Sequence, residues 1–162
     1  YASRSDSVWN EIYLNKTEFC VMIVKSVYKR GQYFPDALVR HAMFRLLSEQ
    51  YKACHSRGKS YSFPPTVTRC EDKLGDIGTF VCMKPYKFSI TMENTLKAGY
   101  MSEKIFNGIF ADTIPVYFGL PDIREYNINL DRFVYCNVSQ EKILEMRSKQ
   151  KQHGKIWLFE GD

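Results

Sequence analysis

Three stretches hold the residue types best suited to chemistry. They are Tyr86-Lys-Phe-Ser-Ile-Thr-Met-Glu-Asn94, Gly99-Tyr-Met-Ser-Glu-Lys104 and Thr113-Ile-Pro-Val-Tyr-Phe-Gly119. The first reads as a strand ending at Glu93 and Asn94, and the second as a loop opening a helix. A helix N-terminus offers unpaired N–H groups and about half a positive charge, so it attracts anions. Lys104 in that first turn is misplaced for the helix itself and would be stabilised by a bound anion. Glu103 can accept hydrogen bonds from sugar or ribose hydroxyls, and Asn94 can both donate and accept. Tyr100 can stack on a ring or bond a phosphate oxygen. A diphosphate leaving group could thus be held by Lys104, the helix end and one further cation. Arg40 is the best candidate for that cation, because a guanidinium grips phosphate bidentately. Alone, each of these residues is an ordinary charged or packing residue; the combination on one strand–loop–helix unit is what carries weight.

The elements that must position them follow from pattern. Phe19 to Lys25 is a short apolar, β-branched run and reads as a buried strand. Tyr28 to Pro35, with Gly31 and Pro35, reads as a loop, and Asp36 as the cap of a helix. On that helix Leu38, Val39, Ala42, Met43, Leu46 and Leu47 form one apolar face. Residues 54–78 are rich in Ser, Arg, Gly, Pro and Asp and read as a long irregular loop. Thr79 to Met83 suggests a short helix and Lys87 to Met92 a strand. Ser102 is a plausible N-cap for a helix marked by Ile105, Phe106, Ile109 and Phe110. Thr113 to Phe118 and Phe133 to Val138 read as strands, and Ser139 caps a last helix from Gln140 to about Lys149. Strands alternating with helices predict an α/β fold. It is a Rossmann-like, mostly parallel sheet with helices on both faces. Ligands in such sheets sit beyond the carboxyl ends of the strands, here after Lys25, Met92 and Phe118. The expected organisation is a leading segment or linker remnant over 1–18, a nucleotide-binding domain over 19–150 and a tail over 151–162.

Length and composition bound the possibilities. The 162 residues suit one domain, and 44% apolar with 25% charged residues are globular values. The longest apolar run, Phe19 to Val24, is far short of the roughly 20 residues that cross a bilayer. The chain starts at Tyr1, which suggests a fragment or processed product. Its net charge is +5. The segment from Lys25 to Lys59 alone carries +6, which favours an anionic ligand, nucleic acid among the candidates. Five cysteines without a C-x-x-C pair argue against structural zinc and favour a reducing, cytoplasmic setting. Cys20 and Cys82 read as buried small hydrophobes. His41, beside Arg40, reads as a surface residue. The sequons Asn15-Lys-Thr17 and Asn137-Val-Ser139 do not outweigh the cysteine pattern. G-x-G-x-x-G, the P-loop, H-E-x-x-H and G-x-S-x-G are all absent. So is an Asp-x-Asp pair, which makes a clamp of protein cations the expectation and a metal cofactor unnecessary.

At these residues the sequence resembles the α-1,3-fucosyltransferase family. The family pattern Y-K-F-x-[ILV]-x-F-E-N stands here as Tyr86 to Asn94. Y-[IVT]-[TS]-E-K stands as Tyr100 to Lys104, and G-[TA]-[IV]-P-[IV]-Y-x-G-x-P-x-I as Asp112 to Ile123. An upstream R-x-x-F-F-x-x-L-S-x-Y helix looks like Arg40 to Tyr51. Met92 stands where the family usually has Phe, and the Cys54 to Gly78 loop differs. The C-x-x-C near the end of animal members is missing, which suggests a bacterial, viral or protist relative.

The resemblance implies the C-terminal, GDP-fucose-binding half of a GT-B glycosyltransferase. It implies Arg40 and Lys104 as the diphosphate-holding catalytic pair. Glu93, Asn94, Tyr100 and Glu103 would be donor-binding residues, with phosphate, ribose and fucose contacts not apportioned among them. The implied reaction is inverting transfer of fucose to an acceptor glycan hydroxyl. No cofactor would be required, and nucleic acid would not be a partner. The implied general base lies in an N-terminal acceptor domain outside this chain, so the fragment alone would bind donor without transferring it. A Golgi membrane would replace the cytoplasm if the parent is an anchored eukaryotic protein. The alternatives are a non-catalytic nucleotide-sugar or glycan-binding module and a GT-B enzyme using another GDP-sugar.

Overall fold

The structure, a computed structural model, describes residues 4–24, 28–29, 32–33, 37–58, 70 and 75–153. Strand β1 (Glu18–Met22) is followed by two short strands, β2 (Tyr28–Lys29) and β3 (Gln32–Tyr33), then by β4 (Cys54–Ser56). Strands β5 (Tyr86–Ile90), β6 (Ile114–Tyr117) and β7 (Val134–Tyr135) complete a five-stranded sheet in the order β4-β1-β5-β6-β7. Every pairing in it is parallel. β5 is central, so residues just past its end are flanked by neighbours on both sides. β2 and β3 form a separate antiparallel pair, Tyr28 opposite Tyr33. The stretch expected to be a plain loop therefore contains a hairpin. The Asp36 cap lies outside the described residues.

Helices clothe both faces, as strands buried on two sides require. Helices α2 (Ala37–Gln50) and α5 (Gln140–His153) pack on one face. There Leu38, Ala42 and Met146 cluster, and Val39, Phe44 and Ile143 join Cys20, Met22, Ile90, Met92 and Val116. Helices α3 (Gly75–Met83) and α4 (Glu103–Phe110) lie on the other. A methyl group on Gly108 would stand 2.6 Å from the Ser89 hydroxyl, so the bare glycine lets α4 lie directly on β5. Next to it Ile105, Tyr117, Leu120, Ile123 and Phe133 form a second apolar cluster. The α/β expectation, a mostly parallel sheet between two helical layers, is what the chain forms.

Several local expectations are corrected. The polar stretch before residue 18 contains helix α1 (Asp6–Leu14), none of whose residues is buried. Its apolar residues Trp9, Ile12 and Tyr13 share one half-buried face, and it is fastened by an Arg4–Asp112 ion pair at 2.6 Å and by Tyr13 meeting Phe88 edge-on. Strand β4 lies inside the region expected to be irregular. Cys-His-Ser has no strand pattern of its own and pairs because Cys54 stands opposite Cys20 on β1. Those two cysteines form a disulfide, and Cys70 forms another with Cys82 on α3. Pairing removes the ground for a reducing compartment; Cys20 is buried in the core as expected, though bridged, while Cys82 is only half-buried. Helix α5 runs to His153, past the expected Lys149. On α4 the buried residues are Ile105, Asn107 and Gly108, whereas Phe106 and Phe110 are exposed. His41 is fully buried, not on the surface.

Candidate functional site

Beyond Ile90 the β5 chain stays extended. Thr91 N donates to Val116 O at 3.0 Å and Glu93 N to Phe118 O at 2.7 Å. In an extended chain, successive side chains point to opposite faces. That alternation sends Glu93 toward α4 and Asn94 toward α2, and each meets a cation there. Asn94 Oδ1 accepts from Arg40 Nη1 at 2.8 Å. Glu93 Oε2 accepts from Lys104 Nζ at 3.1 Å. Two positive side chains from helices on opposite layers are therefore tied to consecutive residues at one strand end. The sequence pattern expects both cations at this strand end; they reach it from opposite sides of the sheet, each on its own partner.

Ser102 is the hub on the α4 side. As N-cap it is extended, and its hydroxyl accepts from Lys104 N at 3.5 Å, as a capping residue should. The same hydroxyl accepts from Lys104 Nζ at 2.7 Å and donates to Glu93, 2.8 Å from Oε1 and 2.7 Å from Oε2. Ser102 N also donates to Glu93 Oε1 at 2.8 Å. Glu93 thus satisfies one of the orphan N–H groups at the start of α4. Sequence reasoning saw Ser102 only as a cap; its N-cap position was the available signal for a residue aimed at the helix tip.

Glu93 and Arg40 are buried, at 0% and 2% exposure, while the Lys104 side chain keeps 26%. Glu93 therefore has no surface of its own to offer a donor, contrary to its expected place among the donor contacts. Gly119 explains the seal. A Cβ there would lie 2.5 Å from Glu93 Cγ and 2.7 Å from Tyr117 Oη, so only glycine lets the loop after β6 close over the carboxylate. Tyr117 beneath it accepts from Leu120 N at 3.2 Å, and burial pushes its phenol up to about 12. Tyr100 is exposed, two residues before the cap, and Glu103 is exposed at the first turn, its carboxylate 3.8 Å from Lys104 Nζ. Glu103 thus stands beside Lys104, the more open of the two cations. On the α2 side, burial and the neighbouring Arg40 charge hold His41 down to about 3, so it is neutral beside the guanidinium.

A parallel sheet with helices on both faces, carrying at its central strand end a helix tip and two tethered cations, is an architecture suited to a phosphate-bearing ligand. Residues 15–147 match glycosyltransferase family 10 (fucosyltransferase), C-terminal part, and the chain belongs to that family. An α-(1,3)-fucosyltransferase of Helicobacter pylori is 41% identical over 46 residues, 28% of this chain and 10% of that protein. A fucosyltransferase-like protein of Arabidopsis thaliana is 33% identical over 67 residues, 41% of this chain and 13% of that one. The GDP-fucose protein O-fucosyltransferase 3 of Gallus gallus is 28% identical over 92 residues, 56% and 18% of the two chains. Among solved structures, an α1,3-fucosyltransferase with GDP-fucose superposes with a TM-score of 0.58 at 21% identity. The match covers 86% of this chain and 36% of that one. The chain thus spans less than a fifth of the length of these curated relatives.

Proposed function

We propose that this chain is the donor-binding half of an inverting fucosyltransferase that takes GDP-fucose as its substrate. The observation that carries the reading is the tethering of Lys104 and Arg40 to Glu93 and Asn94 at the end of β5, beside the N-terminus of α4. Breaking the bond between sugar and diphosphate leaves negative charge on the departing nucleotide. Fixed cations and helix N–H groups stabilise that charge without reorganising when it appears. Lys104, the more open of the two, is the group that meets the diphosphate, and Arg40 supplies charge from beneath, beside Asn94. Tyr100 and Glu103, exposed on the rim, take the phosphate and ribose contacts. An acceptor hydroxyl attacks the sugar carbon from the side opposite the nucleotide, which inverts that centre. Its proton goes to a carboxylate of an acceptor domain elsewhere in a longer parent protein.

The likeness to both α-(1,3)-fucosyltransferases and protein O-fucosyltransferases leaves two acceptor classes, glycan and protein hydroxyl, to be separated by assay of a longer parent. The test of donor binding uses this chain. Titration with GDP-fucose should show saturable binding that GDP competes away and inorganic polyphosphate does not. Lys104→Ala and Arg40→Ala should each weaken it. Equal, weak binding of every polyanion overturns the reading, and tighter binding of GDP-mannose replaces the donor.

A further inference from the structure

We propose that Glu93 is a positioning residue that acts through Lys104 and never touches the donor. The inference rests on the donor-binding reading above and assigns the buried carboxylate a task within it. Three observations carry it. First, Glu93 is completely buried, and Gly119 closes over its side chain within a distance that a single methyl group would violate. Second, both of its oxygens are occupied by one short stretch of chain: Oε1 by Ser102 N and the Ser102 hydroxyl, Oε2 by that hydroxyl and Lys104 Nζ. Third, Lys104 sits in the first turn of α4, where the helix dipole repels a cation. A flexible lysine in that place would swing out toward water. Instead a carboxylate beneath and a hydroxyl beside it hold the ammonium over the helix tip. The charge is already placed when a diphosphate arrives, so little side-chain freedom is lost on binding.

Positioning makes a claim that general structural support does not. The effect of changing Glu93 must vanish when Lys104 is gone. The experiment is a double-mutant cycle on this chain, with GDP dissociation constants from NMR titration and unfolding midpoints measured alongside. Glu93→Gln keeps the shape and removes the charge. It should weaken GDP binding about tenfold with Lys104 present, the scale of one charge-assisted hydrogen bond. In the Lys104→Met background the same change should cost less than about twofold. Equal losses in both backgrounds, or none in the first, overturn the proposal. Should Glu93→Gln not fold, Glu93→Asp, which keeps the charge but draws the carboxylate back from Lys104, completes the same cycle. A second readout needs no nucleotide. Lys104 should be acetylated by an N-hydroxysuccinimide ester several-fold faster in Glu93→Gln, relative to Lys142 as internal standard. Unchanged reactivity refutes positioning even if GDP does not bind. Faster reactivity with no GDP binding by the folded wild type keeps positioning and refutes the donor reading.

Discussion

Helix α4 has a lysine ammonium near each end, and the two are held in opposite ways. At its C-terminus Lys16 reaches in from the segment before β1 and donates to Ala111 O at 3.3 Å and to Lys84 O at 2.6 Å. Those carbonyls end α4 and α3, so one cation serves two helix C-termini, the ends where a dipole welcomes positive charge. At its N-terminus Lys104 faces the unfavourable pole and is retained by Glu93 and Ser102. Lys16 is 7% exposed and sealed among carbonyls, whereas Lys104 remains partly open beside Glu93 and Ser102. The amino end of the sheet uses its lysine to finish the fold. The carboxyl end spends a buried carboxylate to keep a cation where local electrostatics would expel it.

The contrast is sharpened most by removing each lysine in turn. Lys104→Met should lower GDP affinity roughly hundredfold, since it removes the open cation facing a doubly charged group. Lys16→Met should leave GDP affinity within about twofold but cost about 2 kcal/mol in urea unfolding, because buried carbonyls lose their donor. The same affinity loss for both variants would break the distinction between the two ends.

Acid titration probes the carboxyl end from the α2 side. His41 titrates near 6.5 in an unfolded chain and at about 3 in the fold, through burial and Arg40. Between those values the unfolded state holds one more proton, so stability is full above about 6.5 and falls as the pH drops. The slope approaches about 1.4 kcal/mol per pH unit only below about pH 6, so urea unfolding should show a loss of about 2 kcal/mol between pH 7 and pH 5. His41→Gln should flatten it. The smallest effect belongs to Lys16, whose ammonium burial holds below the usual lysine range, partly offset by Asp112. Here too the unfolded state binds the proton more tightly. Stability should gain slightly as pH rises toward the unfolded lysine value, and Lys16→Met should abolish that gain.

How much of this was legible depends on the range of the forces involved. The apolar face of α2, the strands β5 and β6 and the Ser102 cap are written in local spacing, and the chain follows them. That Arg40 and Lys104 are drawn to the end of β5 was also accessible, because strand ends and helix starts are where ligands gather in this architecture. What escaped depends on tertiary partners. Glu93 and Lys104 lie eleven residues apart, with no shared period, and their pairing exists only once α4 docks on β5. Strand β4 has no apolar alternation and is created by its neighbour and the Cys20–Cys54 bridge. His41 is a polar side chain on a helix face whose whole width turned out to be covered.

The opposed directions of Glu93 and Asn94 limit how this strand end can vary. Which helix receives the acid and which the amide is decided by the odd–even count of residues along one strand. Deleting or inserting a single residue between Tyr86 and Met92 would exchange them, presenting an acid to the guanidinium and leaving the lysine an uncharged neighbour. Changes of two residues would restore the arrangement. The pairing at this strand end is therefore guarded by parity, and length variation in descendants of this chain should be tolerated in the surface connections and confined to even steps here.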